Sequence, residues 1–260
     1  MTEVEAKFLI RREDQVDRVI GVLEELDFAV RHERDRTQVD TYFDTPDWAI
    51  LRAGWAYRCR QTGGAGKLTL KSTGVQDGPV FVRDEVEQSL PDEAPGAGGQ
   101  LPDGPVNERL VSITGDAVKR KLFSVRTRRA IYVAERAGDN PATIEIDVDN
   151  CRIRARKSRA DAPGHCDFLE LEIELVAGEQ DAVAEIAATL QSELQLTPAQ
   201  LSKFERGLHT AGLNPANAGQ DSRKRRYKAN EPVFDMFFDY VRGQYDIIVE
   251  QQPFAWEGLD

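Results

Sequence analysis

Glu3, Glu5 and Lys7 open the chain at every second position, and that spacing is the first sign of chemistry. In an extended backbone alternate side chains share a face, so two carboxylates and an ammonium would stand in line. Such a face can hold a hard divalent cation beside an anionic group. An amphipathic strand with its charges in water fits the same residues, so the spacing gains meaning only by recurring. It does recur. Arg58 aligns with Arg60, Lys67 with Lys71, and Arg83 with Glu85 and Glu87. Arg126 aligns with Arg128, Glu145 with Asp147, and Glu170 with Glu172 and Glu174, the last three opposite Leu169, Leu171, Ile173 and Leu175.

The elements that must position these residues are mostly strands. Residues 13–28 read as an amphipathic helix with Val16, Val19, Ile20, Leu23 and Leu26 at helical spacing. Strands follow over 36–43, 56–60 and 67–71, with Asp44 to Asp47 a turn and the glycines of 63–66 a hairpin. That glycine run is no nucleotide loop, because no helix beginning Lys-Ser or Lys-Thr follows it. A strand over 80–90 leads into a Pro/Gly-rich loop over 91–105 and a helix near 106–113. Strands over 123–135, 143–148, 152–156 and 168–175 come next, with Asp149-Asn150 a turn. Helices follow over 179–194 and 198–210, the latter with Thr197 as N-cap and Pro198 in its first turn.

Two architectures satisfy strands that are charged on one side and apolar on the other. One is an open antiparallel sheet with a solvated charged face. The other is a closed barrel with a charged bore and helices on its apolar outside. A solvated face would mix in many polar types, whereas here carboxylates dominate some strands and arginines or lysines others. Segregated acidic and basic rungs suit a bore with metal ions on one wall and a polyanion on the other. Hydrophobic residues make up 40% and charged residues 30%, which places the chain among highly charged globular proteins. The net charge of −11 argues against binding nucleic acid through the whole surface. No apolar run is long enough for a membrane span and no signal-peptide pattern precedes the first strand. Cys59, Cys151 and Cys166 lack metal-ligand spacing and read as reduced thiols of a cytoplasmic protein.

In order along the chain, Glu3-x-Glu5-x-Lys7, Asp40-Thr-Tyr-Phe-Asp-Thr-Pro, Arg58-x-Arg60, Leu68-Thr-Leu-Lys71, Glu85-x-Glu87, Arg126-x-Arg128, Ile146-Asp147, Glu170-x-Glu172-x-Glu174 and Ser202-Lys203-Phe204 resemble the CYTH superfamily of triphosphate tunnel metalloenzymes. The resemblance covers about residues 1–210. It implies an α+β fold: a closed eight-stranded antiparallel β tunnel with a charged bore and helices outside, working with Mg²⁺ or Mn²⁺. By the same resemblance Lys7, Arg58, Arg60, Lys71, Arg126, Arg128 and Lys203 bind phosphate. Glu3, Glu5, Glu87, Asp147, Glu170, Glu172 and Glu174 would be metal ligands, and Glu3, Glu5, Lys7 and Lys203 would serve catalysis. Lys67, Arg83 and Arg129 stand as alternative members of adjacent charged pairs.

The implied activity is hydrolysis of inorganic triphosphate to diphosphate and phosphate. Thiamine triphosphate hydrolysis, ATP cyclisation and non-catalytic binding of polyphosphate or nucleotide remain as alternatives. Residues 211–231 read as a basic linker through Arg223, Lys224, Arg225 and Arg226. Residues 232–260 read as a helical tail with Val233, Phe237, Tyr240, Val241, Ile247 and Ile248 on one stripe. That tail resembles the first helix of a CHAD domain, whose motifs would follow Asp260. It could pack on the tunnel or on a second chain, giving a dimer. Neither a nucleic-acid nor a membrane partner is expected.

Overall fold

The computed structural model describes residues 2–12, 15–73, 75–77, 79–90, 101–158, 160 and 162–215. Most of the loop expected over 91–105, most of the linker and the whole C-terminal helix therefore lie outside the described residues. In chain order the elements are β1 (Thr2–Ile10), α1 (Gln15–Glu25), β2 (Ala29–Asp44), α2 (Ala49–Arg52), β3 (Trp55–Thr62), β4 (Ala65–Ser72), β5 (Val75–Asp77) and β6 (Val80–Leu90). There follow α3 (Pro105–Thr114), β7 (Arg120–Arg136), β8 (Ala142–Ala155), β9 (His165–Ala177), α4 (Asp181–Leu194), β10 (Thr197–Pro198) and α5 (Lys203–Ala211).

Hydrogen bonding runs β1–β9–β8–β7–β2–β3–β4–β6, and β6 then pairs with β1 from Thr2↔Asp84 to Ala6↔Val80. That last pairing closes an antiparallel ring of eight strands and decides for the tunnel over the open sheet. Among the described residues β5 pairs with β6 alone and β10 with β1 alone. The β3–β4 hairpin turns at Gly63 and Gly64, whose φ of 56° and 98° suit glycine.

The barrel is inside out. Val4, Ala6, Phe8 and Ile10 point outward from β1 and are buried beneath Val19, Leu23, Val183, Ile186 and Leu190 of α1 and α4. On the other side Tyr57, Cys59, Leu68 and Leu70 pack under Ile50, Val106 and Leu110 of α2 and α3. Burying each such large side chain contributes about 1.5–3 kcal/mol. With that stabilisation outside the ring, the inner face is free to carry charge.

The last helix breaks this pattern. Ser202 is the N-cap of α5 and forms a capping box with Glu205: Ser202 Oγ accepts from Glu205 N at 3.3 Å, and Ser202 N donates to the Glu205 carboxylate at 2.7 Å. The expected start at Thr197–Pro198 is corrected, since those residues extend from the ring beside Phe8 and Leu9. α5 lies against the inner faces of β7, β8 and β9. Gly207 permits the approach, because a Cβ there would stand 1.9 Å from Phe123 Cε2. Tyr42, Phe123 and Phe204 form an aromatic cluster with centroids 4.9–6.0 Å apart. At this end the interior is apolar, and beyond it charge takes over.

Candidate active site

The inward residues form two facing walls around a cavity of about 900 Å³. β1, β9 and β8 supply the acidic wall. Glu5, Glu174 and Glu145 face one another across the three strands, and Lys7, Glu172 and Asp147 make the next rung. β2, β3 and β4 supply the basic wall, with Arg34, Arg36, Arg58, Arg60, Lys67 and Lys71 lining the cavity.

Ion pairs stitch the walls together. Glu5 lies 3.1 Å from Lys7, 3.4 Å from Lys71 and 3.7 Å from Arg83. Burial opposes its charge, but Lys7 and Lys71 prevail and hold the Glu5 carboxyl down to about 2. Glu3 pairs with Lys71. Arg60 grips Asp40 with two bonds of 2.8 and 3.1 Å, and Arg58 reaches Glu85 at 3.5 Å. Arg36 faces the same space without a carboxylate partner among the described residues, and its Nε is buried and unbonded. Burial, then Arg129 and Arg60, lower its pKa, the mark of a cation held among cations.

Two groups of three carboxylates each have oxygens within 4.8 Å of one another. In one, Asp149, Glu170 and Glu172 are already neutralised. Lys203 lies 2.9, 2.5 and 2.7 Å from them, Arg129 donates to Asp149 and Glu172, and Lys7 pairs with Glu172. The other group is Glu145, Asp147 and Glu174. Here Asp147 pairs with Arg129 through one oxygen, while its Oδ1 is buried without a hydrogen bond. Burial, together with neighbouring carboxylates, raises Asp147 to about 7 and Glu174 to about 8. An all-oxygen set with an unsatisfied buried acceptor and mutually repelling charges fits a hard divalent cation. This group could hold one. The neutralised group does not fit as well.

The ring brings Glu3, Glu5, Lys7, Arg58, Arg60, Lys71, Asp147, Glu170, Glu172, Glu174 and Lys203 to the interior. Glu87 also lines the cavity, but half-exposed and bound to Lys67 at 2.9 Å, apart from both carboxylate groups. Arg126 and Arg128 are corrected: both are exposed on the outside of β7, and Arg129 between Asp149 and Asp147 is the inward member. The inner face near α5 carries buried Val125 beside Thr127, so the apolar side of β7 there is not the outside, and a phase set by apolar residues points Arg126 and Arg128 the wrong way. Asp149 is no turn residue but a fully buried position within β8. β2 begins well before the expected strand over 36–43, so Arg34 lay outside that strand, and Arg36 at its first position had no basic neighbour on its face to mark it. Their alternation with Asp40 and Tyr42 was the available signal.

A closed eight-stranded tunnel with apolar helices outside and opposed charged walls inside defines a class of protein. The CYTH domain family matches residues 1–208, and the chain belongs to that family. Among solved structures it is similar to a candidate adenylyl cyclase from Hippeastrum with a dominant triphosphatase activity. The TM-score is 0.52 and the identity 18%, over 82% of this chain and 97% of that one. It is also similar to a candidate adenylate cyclase from Bacillus halodurans, with TM-score 0.50 and 19% identity over 78% of this chain and 96% of that one. At these identities the likeness concerns the fold. No helix among the described residues is long and apolar enough to cross a membrane.

Proposed function

We propose that the chain hydrolyses inorganic triphosphate to diphosphate and phosphate inside its bore, using Mg²⁺ or Mn²⁺. The observation that carries this reading is one cavity lined by the basic wall, in which Arg36 has no carboxylate partner among the described residues, and by Glu145 and Glu174, whose carboxylates group with that of Asp147. Arg36, Arg58 and Arg60 present planar forks that match phosphate oxygens in pairs, while Lys71 and Lys203 act as point charges. Pairing with Asp40 fixes the Arg60 fork before any ligand arrives, so binding costs little ordering. Glu145, Asp147 and Glu174, with Glu3 and Glu5 on the neighbouring strand, would hold the divalent ion. Bound there, it would withdraw charge from the phosphate oxygens and lower the pKa of a water molecule. The buried thiols Cys59 and Cys151 accord with a reducing cytoplasm.

A second reading, hydrolysis or cyclisation of an organic triphosphate, is favoured by Tyr42, Leu51, Phe204 and Leu208 in the cavity lining. These would offer apolar surface to an organic end group. Phosphate release from inorganic triphosphate, with and without added Mg²⁺ or Mn²⁺, tests the first reading. Release only with metal supports it, and no release in either condition rejects it.

A further inference from the structure

We propose that the outer face of β7 and β8 is a second anion-binding surface, fitted to a chain of condensed inorganic phosphate. Arg126 and Arg152 stand directly opposite each other across these strands. Arg128 lies one step further along β7 and Arg154 one step further along β8 in the other direction, so the four arginines form a diagonal strip. All four are exposed. The strip runs on into an open hollow of about 510 Å³ lined by Arg154, Lys157 and His165.

Among the described residues one carboxylate answers these charges. Asp167 lies 3.8 Å from Arg152 and 3.1 Å from Arg154, while Arg126 and Arg128 have no ion pair among the described residues. Like charges directly opposed in a sheet are destabilising. Acidic residues outnumber basic ones by 45 to 34 in this chain, so composition alone does not produce such a strip. Among the described residues no helix buries any of the four arginines.

The neighbours of the strip select its occupant. Thr37, Val39, Ser124, Asn150, Asp167 and His165 flank it by strand register; the His165 imidazole is the single ring among them, too little to stack successive bases, and none is a large aliphatic side chain. A protein partner would need an apolar centre to the interface. A single-stranded nucleic acid would need aromatic platforms for its bases. A phosphate chain needs neither. Every unit of it carries charge, arginine forks pair its oxygens, and no pocket is required to set a register.

Binding of medium-chain polyphosphate to the full chain, in chelator so that no turnover occurs, tests this surface. Poly-glutamate and an oligonucleotide are the comparison probes. Arg126→Ser/Arg152→Ser should bind polyphosphate about tenfold or more weakly, with a shallower salt dependence. Its rate on inorganic triphosphate should not change. Arg58→Ala in the bore should leave the polyphosphate affinity largely intact. Should the double variant melt early, Arg128→Ser alone serves as the outer variant. Unchanged polyphosphate affinity in the outer variants overturns the proposal, as does tighter binding of poly-glutamate or oligonucleotide. Polyphosphate binding and triphosphate turnover are separate readouts, so this surface and the bore reading fail independently.

Discussion

Asp149 clasps Arg129 with both carboxylate oxygens, at 2.7 Å to Nε and 2.6 Å to Nη2, directly opposite it on the same rung of the neighbouring strands β7 and β8. The Oδ2 that meets Nη2 also lies 2.9 Å from Lys203, the first residue of α5. One fully buried carboxylate thus joins the basic residue of a strand to the helix that lies across the inner faces. Burial opposes the charge on Arg129, but Asp149 and Glu172 overcome it and hold the guanidinium well above its ordinary range.

Asp149→Asn keeps the shape and removes the charge. Breaking a buried pair from one side costs about 3–5 kcal/mol, because the cations left behind stay desolvated. Urea unfolding of the ligand-free variant should show a loss of that order. A change under about 1 kcal/mol would mean that the pair is worth no more than a surface bridge.

Arg36→Ala should behave in the opposite way. Removing a cation that stands among Arg129 and Arg60 relieves repulsion, so the ligand-free variant should be as stable as the parent or slightly more so. Its KM for triphosphate should rise about tenfold, the order expected for one lost charge-assisted contact. A lower melting temperature with unchanged KM would make Arg36 a structural residue.

The acidic wall predicts a pH dependence. The Asp147 and Glu174 carboxyls titrate near 3.8 and 4.5 when unperturbed but near 7 and 8 in the fold. Between those values the folded chain binds more protons than the unfolded one, so stability contributed by these groups falls as pH rises from about 4 to about 8. Glu5, lowered to about 2, acts in the other direction, and its contribution is lost only as pH falls from 4.5 towards 2. Thermal melts in chelator should therefore decline across pH 5–8, and Mg²⁺ or Mn²⁺ should flatten that decline. Equal slopes with and without metal would remove Glu145, Asp147 and Glu174 as the ion's ligands.

Much of this arrangement was legible in the residues themselves. Strict alternation in β1 and β9 announced Glu3, Glu5, Lys7, Glu170, Glu172 and Glu174 as one face, and segregated charge on successive strands pointed to a bore. What could not be read depended on α5. Where that helix packs inside the ring, Phe123 and Val125 turn inward, so the rule that apolar means outward fails on β7 and the pair Arg126 and Arg128 was chosen over Arg129. Asp149-Asn150 carries a turn-like signature, yet β8 runs unbroken because both neighbouring strands pair with it there. The division of carboxylates into a neutralised group and a partly neutralised one rests on where Lys203 and Arg129 reach, which no local pattern encodes.

Glu5→Gln tests the N-terminal strand. It removes the charge that Lys7, Lys71 and Arg83 share, beside the Glu174 position across β9. Turnover of triphosphate should be nearly abolished, while triphosphate binding survives at raised metal concentration. Undiminished phosphate release would take Glu3 and Glu5 out of the active site.

The most direct measurement is a side-by-side comparison of kcat/KM for inorganic triphosphate, ATP and thiamine triphosphate at equal free Mg²⁺ or Mn²⁺. A wall rich in cations gains most from a compact anion with both ends free, and the binding that counts is the binding realised as the phosphate transfers. The account predicts inorganic triphosphate first, ATP well behind, and no release from any of the three in chelator. ATP or thiamine triphosphate as the better substrate, or release that persists in chelator, would contradict it.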